Sequence, residues 1–166
     1  KLKGMGLSYA TSDRGACHLR TTFYKPELAG MIPPDQIQDK AELLIDFEDR
    51  LTIFDALILC RFYRDLYTWE KLQELISLTT GLQATKEDLQ RIASRITDMT
   101  RAFNLREGLS HLDDTLPEKI LTQPLPTGES LSREELETML QDYYRLRGWD
   151  SEGRPKQREF RSQKAE

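Results

Sequence analysis

The sequence predicts an all-α fold, a multihelical domain of about four main helices with long irregular loops. Three observations carry that expectation. Apolar residues recur at intervals of three and four in four separate stretches, the signature of helices with one buried face. Serine or threonine capping patterns open three of those stretches. No convincing strand pattern, internal repeat or low-complexity tract is present.

Residues 1–36 read as irregular, because Gly4, Gly6, Gly15, Gly30, Pro26, Pro33 and Pro34 interrupt them too often for a long helix or strand. Asp35 or Asp39 then opens a helix in which Ala41, Leu44, Phe47, Leu51 and Phe54 keep helical spacing, and which ends near Phe54. Thr68 is placed to cap a second helix with Trp69, Leu72, Leu75, Ile76 and Thr79 on one face and Gly81 just past its end. Thr85-Lys86-Glu87-Asp88 approximates a capping box before Leu89, Ile92, Ala93, Ile96, Met99, Thr100 and Phe103. From Asn104 to about Glu129 periodicity is lost, with Pro117, Pro124 and Pro126 inside the stretch. Ser132-Arg133-Glu134-Glu135 is a full capping box, followed by Leu136, Met139, Leu140 and Tyr143 and closed near Gly148. The expected organisation is one domain over 1–154, with 1–36 irregular and 37–154 a helical core, then a charged flexible tail at 155–166.

With 38% apolar and 31% charged residues and a net charge of −4, the chain suits a soluble domain with no nucleic-acid or membrane partner. The longest apolar run, Ala56 to Cys60, is far short of the roughly 20 residues that span a bilayer. The opening Lys-Leu-Lys-Gly has no apolar leader core and no initiating Met, so a cytoplasmic setting and a fragment of something longer are expected. Cys17 and Cys60 could pair on count alone, although free thiols in a reducing compartment are the better expectation.

Taken residue by residue, the chemistry is sparse. There is no Cys-x-x-Cys, no His-x-x-Glu, no phosphate loop, no dinucleotide fingerprint and no nucleophile elbow. Either cysteine alone reads first as buried filler. His18 follows Gly15 and precedes Arg20 in a polar loop; an exposed imidazole is its bland reading, and acid–base work its functional one. His111 has less around it, and Asp113-Asp114 reads as a solvated turn rather than a cation site.

Three stretches together resemble the C-terminal part of the tungsten-dependent aldehyde ferredoxin oxidoreductase family. They are KGMGLSYATSDRGACHLR at 3–20, FDALILCRF at 54–62 and FNLREGLSHLDDTLPEK at 103–119, in matching order and separation. The resemblance implies a C-terminal helical domain that helps to close over a tungsten (or molybdenum) bis-pterin and a four-iron, four-sulfur cluster, both shared with regions outside this chain. It also implies oxidation of an aldehyde to a carboxylic acid, with electrons passed to ferredoxin.

The family's Asp-x-x-Gly-Leu-Cys pattern places Asp55, Leu59 and Cys60 as cofactor-binding residues, with Cys60 the metal ligand. A metal-bound thiol is deprotonated by the metal itself, so Cys60 needs no further base. Ionised Asp55 is an acceptor suited to pterin N–H groups. The resemblance makes His18 the catalytic candidate, as proton donor or hydrogen-bond partner to an aldehyde oxygen or a metal-bound oxo group, and Arg20 a further cofactor contact.

One departure stands out. Ile58 occupies the family's glycine position, and a β-branched residue resists positive φ, so the turn there is expected to differ. The fragment alone is expected to be inactive, with the remaining domains of the same polypeptide, ferredoxin and an aldehyde as partners and a homo-oligomer compatible with the chain. Two alternatives accompany this reading: a non-catalytic scaffold or partner-binding domain, and a family member that reduces a carboxylate or an aromatic thioester.

Overall fold

A computed structural model describes residues 2–156, so the tail at 157–166 lies outside the described residues. The elements run α1 (Lys3–Ala10), α2 (Tyr24–Leu28), α3 (Lys40–Ala56), α4 (Trp69–Thr80), α5 (Lys86–Arg106), α6 (Glu118–Thr122) and α7 (Arg133–Arg147). Short 3-10 turns at Arg61–Tyr63 and His111–Asp113 complete them. Among the described residues β structure is limited to isolated bridges at Asp13–Gly15 and Trp149–Pro155, so the all-α expectation holds.

The helix starts and stops read from capping chemistry hold best. Thr68, Thr85 and Ser132 each accept a backbone N–H from the third residue beyond them, and the latter two form complete capping boxes with Asp88 and Glu135. Gly81 and Gly148 close α4 and α7 in the left-handed conformation.

The irregular reading of 1–36 is corrected by α1 and α2. Gly4 and Gly6 there serve close packing: a Cβ on Gly4 would lie 2.2 Å from the Phe23 ring, and one on Gly6 2.6 Å from Leu131. Leu2 gives α1 no side-chain cap, and buried Glu27 from α2 replaces it by accepting Gly4 N–H (2.8 Å) and Met5 N–H (3.1 Å). Lys40 of α3, equally buried, donates to Glu27 at 2.6 Å and to the Pro33 carbonyl at 2.7 Å. The stretch 104–129 is likewise broken by the 3-10 turn and α6.

α3 runs between two apolar clusters. Its first half, with Ala41 and Leu44, packs with Leu7, Phe23, Leu131, Met139, Leu140 and Tyr143. Its second half, with Leu51, Ile53 and Phe54, packs with Trp69, Leu72, Ile76, Leu89 and Ala93. Buried polar groups join the helices around it: Arg147 of α7 donates to Glu48 and Asp49 of α3, and Tyr143 donates to Glu48 at 2.7 Å. The α5 periodicity is only half a core stripe. Ile92, Met99 and Phe103 are exposed, while Asp98 and Arg101 are buried against Trp149 and Asp114. The solvated reading of Asp113-Asp114 is therefore corrected for Asp114, which takes two bonds from Arg101 and one from Tyr144.

Candidate functional site

α3 ends at Ala56, so Asp55 sits in its last turn rather than beyond it. Leu59 N–H bonds the Phe54 carbonyl and Ile58 N–H bonds the Asp55 carbonyl, both at 3.0 Å. This paired bonding is a Schellman closure, which requires one residue in the left-handed conformation. That residue is Ile58, at φ 56. α5 closes with the same bonds, Leu109 to Asn104 and Gly108 to Leu105, and α7 with Trp149 to Tyr144 and Gly148 to Arg145. Glycine takes the left-handed position in both of those. The β-branched Ile58 therefore takes the left-handed position that its side chain resists, and it carries the strain. Leu59 then folds back on the cluster that contains Phe54, the apolar contact that accompanies this motif.

The turn releases the chain at Cys60, whose backbone is extended and whose side chain is exposed. Cys60 is therefore not core filler, and both cysteines are free thiols. Asp55 accepts from Arg20 Nη1 at 2.7 Å and from Arg61 through both Nε (2.9 Å) and Nη2. Arg61 also reaches the Leu19 carbonyl, which ties the turn to the loop that carries His18. Arg20 bridges Asp55 and Asp13, its Nε 3.0 Å from Asp13. Burial lifts the Asp13 carboxyl above its ordinary range, and the Arg20 cation opposes that lift. Neither Arg61 nor Asp13 has a role in the sequence reading. The only signal for Arg61 is its place directly after Cys60, where the closure turns it back over the helix end.

Held by three hydrogen bonds, Asp55 keeps about one of its four acceptor positions for an N–H of another molecule. That suffices for a single pterin contact but not for a fully shared carboxylate. The ion pairs of Arg20 go to the carboxylates of Asp13 and Asp55. The exposed Cys60 thiol at the end of the hydrogen-bonded turn fits one ligand position of an iron–sulfur cluster. Among the described residues no three His, Cys, Asp or Glu groups converge on a metal position.

His18 is exposed and stands at the rim of a cavity of about 820 Å³ lined by Met5, Tyr9, Tyr24, Leu116, Ile120 and Leu131 among others. Its backbone is fixed, since Thr22 N–H bonds the His18 carbonyl at 3.1 Å and Thr21 shares a 2.6 Å hydroxyl bond with Ser8 of α1. Next to it, burial raises the Cys17 thiol pKa, but hydrogen bonds from Arg14 and from the Leu19 and Arg20 amides outweigh this and hold it below its ordinary value. Asn104 at the end of α5 donates to the Asp13 carbonyl at 2.7 Å. All three stretches singled out in the sequence therefore meet: the loop at 3–20, the turn at 54–62, and the segment from 103, whose Asn104 holds the loop and whose Leu116 lines the cavity. His111 is exposed in its 3-10 turn, away from this arrangement of named contacts.

Comparison with known proteins identifies the family. The family described as aldehyde ferredoxin oxidoreductase, domains 2 and 3, matches residues 1–163. The tungsten-containing aldehyde ferredoxin oxidoreductase of Pyrococcus furiosus is 37% identical over 94% of this chain and 27% of its own length. Those of Pyrococcus abyssi and Thermococcus kodakarensis are 36% identical over 92% of this chain and 26% of theirs. The chain thus spans about a quarter of the length of the curated relatives it matches. A solved structure described as the active-site complex BamBC of benzoyl coenzyme A reductase with 1,5-dienoyl-CoA shares the fold, with TM-score 0.61 at 24% identity over 75% of this chain and 19% of that one. On the strength of the family match and these relatives, the chain belongs to the aldehyde ferredoxin oxidoreductase family.

Proposed function

We propose that this chain is the helical domain that completes the redox site of a tungstopterin, iron–sulfur enzyme oxidising an aldehyde to a carboxylic acid. In that reaction water supplies the second oxygen, and two electrons and two protons leave for each aldehyde consumed, the electrons passing to ferredoxin. The bound cofactors supply the electron acceptor; this chain supplies position and protons. The observation that carries the reading is the exposed Cys60 thiol at the end of the closure whose Asp55 is clamped by Arg20 and Arg61.

In this reading the Cys60 thiolate is one of four cluster ligands, and the others come from outside the chain. Asp55, held by its two arginines, offers its remaining acceptor position to a pterin N–H. His18 donates a hydrogen bond or a proton to an oxygen of the reacting aldehyde at the cavity rim. The apolar wall of Met5, Leu116, Ile120 and Leu131 keeps water from the aldehyde's tail. Nothing in the chain's geometry favours reduction of a carboxylate or thioester over this reaction.

The test is made in the full polypeptide loaded with its cofactors. Cys60→Ala should lose the cluster or convert it to a form with less iron, read by iron content and visible absorbance. An unchanged cluster would refute the ligand assignment. The 166-residue chain alone should hold neither a stable cluster nor tungsten and should oxidise no aldehyde.

A further inference from the structure

We propose that Asp13 is a positioning residue of the redox site, closing the His18 loop and acting through Arg20 on Asp55. This rests on the reading that Asp55 offers an acceptor position to a pterin. Arg20 stands between two carboxylates: its Nε lies 3.0 Å from Asp13 Oδ1 and its Nη1 2.7 Å from Asp55 Oδ2. Only 13% of its side chain meets solvent, so its charge is weakly screened and is divided between the two. Asp13 and Arg20 also flank Cys17 and His18 in the chain. One ion pair therefore closes the loop that carries the proton donor and reaches the carboxylate that faces the cofactor. Asn104 fixes the Asp13 end by donating to its carbonyl at 2.7 Å, and Arg61 fixes the other end through the Leu19 carbonyl.

Loop anchoring alone does not account for this arrangement. A carboxylate kept only to hold a loop is best satisfied by hydrogen bonds. Yet Asp13 Oδ1 and Arg20 Nε are buried atoms without a hydrogen-bond partner among the described residues, so their contact is charge against charge. Asp13 also lines a polar cavity of about 20 Å³ with Thr11, Arg20, Glu48, Arg101 and Tyr143, room for about one water. Burial favours the protonated form of Asp13; the Arg20 and Arg14 cations oppose this, and the Glu48 and Asp55 charges add to it. Arg14 donates to Cys17 Sγ at 3.3 Å, which leaves Arg20 as the cation that Asp13 and Asp55 share. When Asp13 takes up a proton, the whole Arg20 charge falls to Asp55. Asp55 then gives less electron density to its cofactor contact, and the site becomes easier to reduce.

The test uses the full polypeptide loaded with its cofactors. It reads the midpoint potential of the tungsten centre by redox titration followed by EPR, together with kcat and KM. Asp13→Asn keeps the shape and removes the charge. It should load iron and tungsten as the wild type does, raise the potential, and lower kcat by about tenfold with KM largely unchanged. Asp13→Glu restores the charge and should bring the potential back toward wild type. The gap in potential between wild type and Asp13→Asn should narrow as pH falls, because a protonated Asp13 is as neutral as asparagine. In an Arg20→Gln background Asp13→Asn should lose most of its effect. An unchanged potential in loaded Asp13→Asn overturns the proposal, as does a shift of the same size without Arg20, or Asp13→Glu behaving like Asp13→Asn. Failure of Asp13→Asn to load also overturns it, because Asp13 would then serve the fold alone. Asp55→Asn separates the two ideas. A wild-type potential in that variant refutes the cofactor reading and the proposal with it, whereas a shift there with Asp13→Asn silent refutes the Asp13 proposal alone.

Discussion

At Ile58 a side chain and a backbone disagree, and the backbone prevails. Two hydrogen bonds, an apolar contact at Leu59 and the whole of α3 behind it favour the closure, against about 1–2 kcal/mol for one β-branched residue in the left-handed region. Ile58→Gly should therefore stabilise this chain by about 1 kcal/mol, less than the full strain because glycine also gains freedom in the unfolded state. Urea unfolding measures it, and a destabilised variant would show that Ile58 is not strained. Arg61 decides the neighbouring residue. It grips Asp55 and Leu19 together, so Arg61→Ala should loosen both the turn and the His18 loop, whereas Arg61→Lys should restore only part, because lysine cannot make the forked contact. In the loaded enzyme, His18→Asn should lower kcat by about 10²–10⁴-fold if its imidazole moves a proton, with the cluster spectrum unchanged. A loss confined to KM would leave His18 as a binding group only.

Helix ends were legible where a single side chain made them. Thr68, Thr85 and Ser132 declare their helices because a hydroxyl three residues before a free amide needs no tertiary partner. α1 was not legible, because its cap is Glu27, more than twenty residues away, and because its glycines act as contacts with Phe23 and Leu131 rather than as breakers. Asp55 and Cys60 are singled out by family resemblance alone, since Arg20 and Arg61 reach Asp55 through the fold and leave no local signal in the sequence. The Glu27–Lys40 pair is fully buried, so removing one partner leaves an uncompensated charge: Lys40→Met should cost about 3–5 kcal/mol and fray α1 together with the loop that follows it. Arg147 faces two carboxylates from α3, and burial lifts the Asp49 carboxyl to about 6 despite the cation. The folded chain therefore holds that proton more tightly than the unfolded one. The associated stability, on the order of 3 kcal/mol, is present in full below the unfolded pKa of 3.8 and lost as pH rises through about 6. Asp49→Asn should remove that decline, read as urea midpoints across the same range; an unchanged slope would assign it to another group.

Across the whole molecule the two apolar clusters are unequal. Among the described residues the one around α1, α3 and α7 contains sixteen buried hydrophobic side chains, loop residues such as Phe23, Leu131 and Trp149 included, against eight in the one around α3, α4 and α5. The larger is reinforced by the Arg147 and Arg101 networks and by Trp149, whose indole donates to Asp98 at 2.7 Å. The smaller leaves Leu78 and Leu82 exposed around the end of α4. α4 should consequently exchange its amides through an opening well below global unfolding, whereas α7 and the middle of α3 should exchange only when the whole domain unfolds. The Cys60 turn belongs to the weaker side, because Leu59 packs on the smaller cluster. Its amides should follow α4 in the chain alone. Hydrogen exchange on the chain tests this directly: equal protection of α4 and α7 would mean that α3 couples the clusters into one cooperative unit, and the site turn would then share the stability of the whole domain.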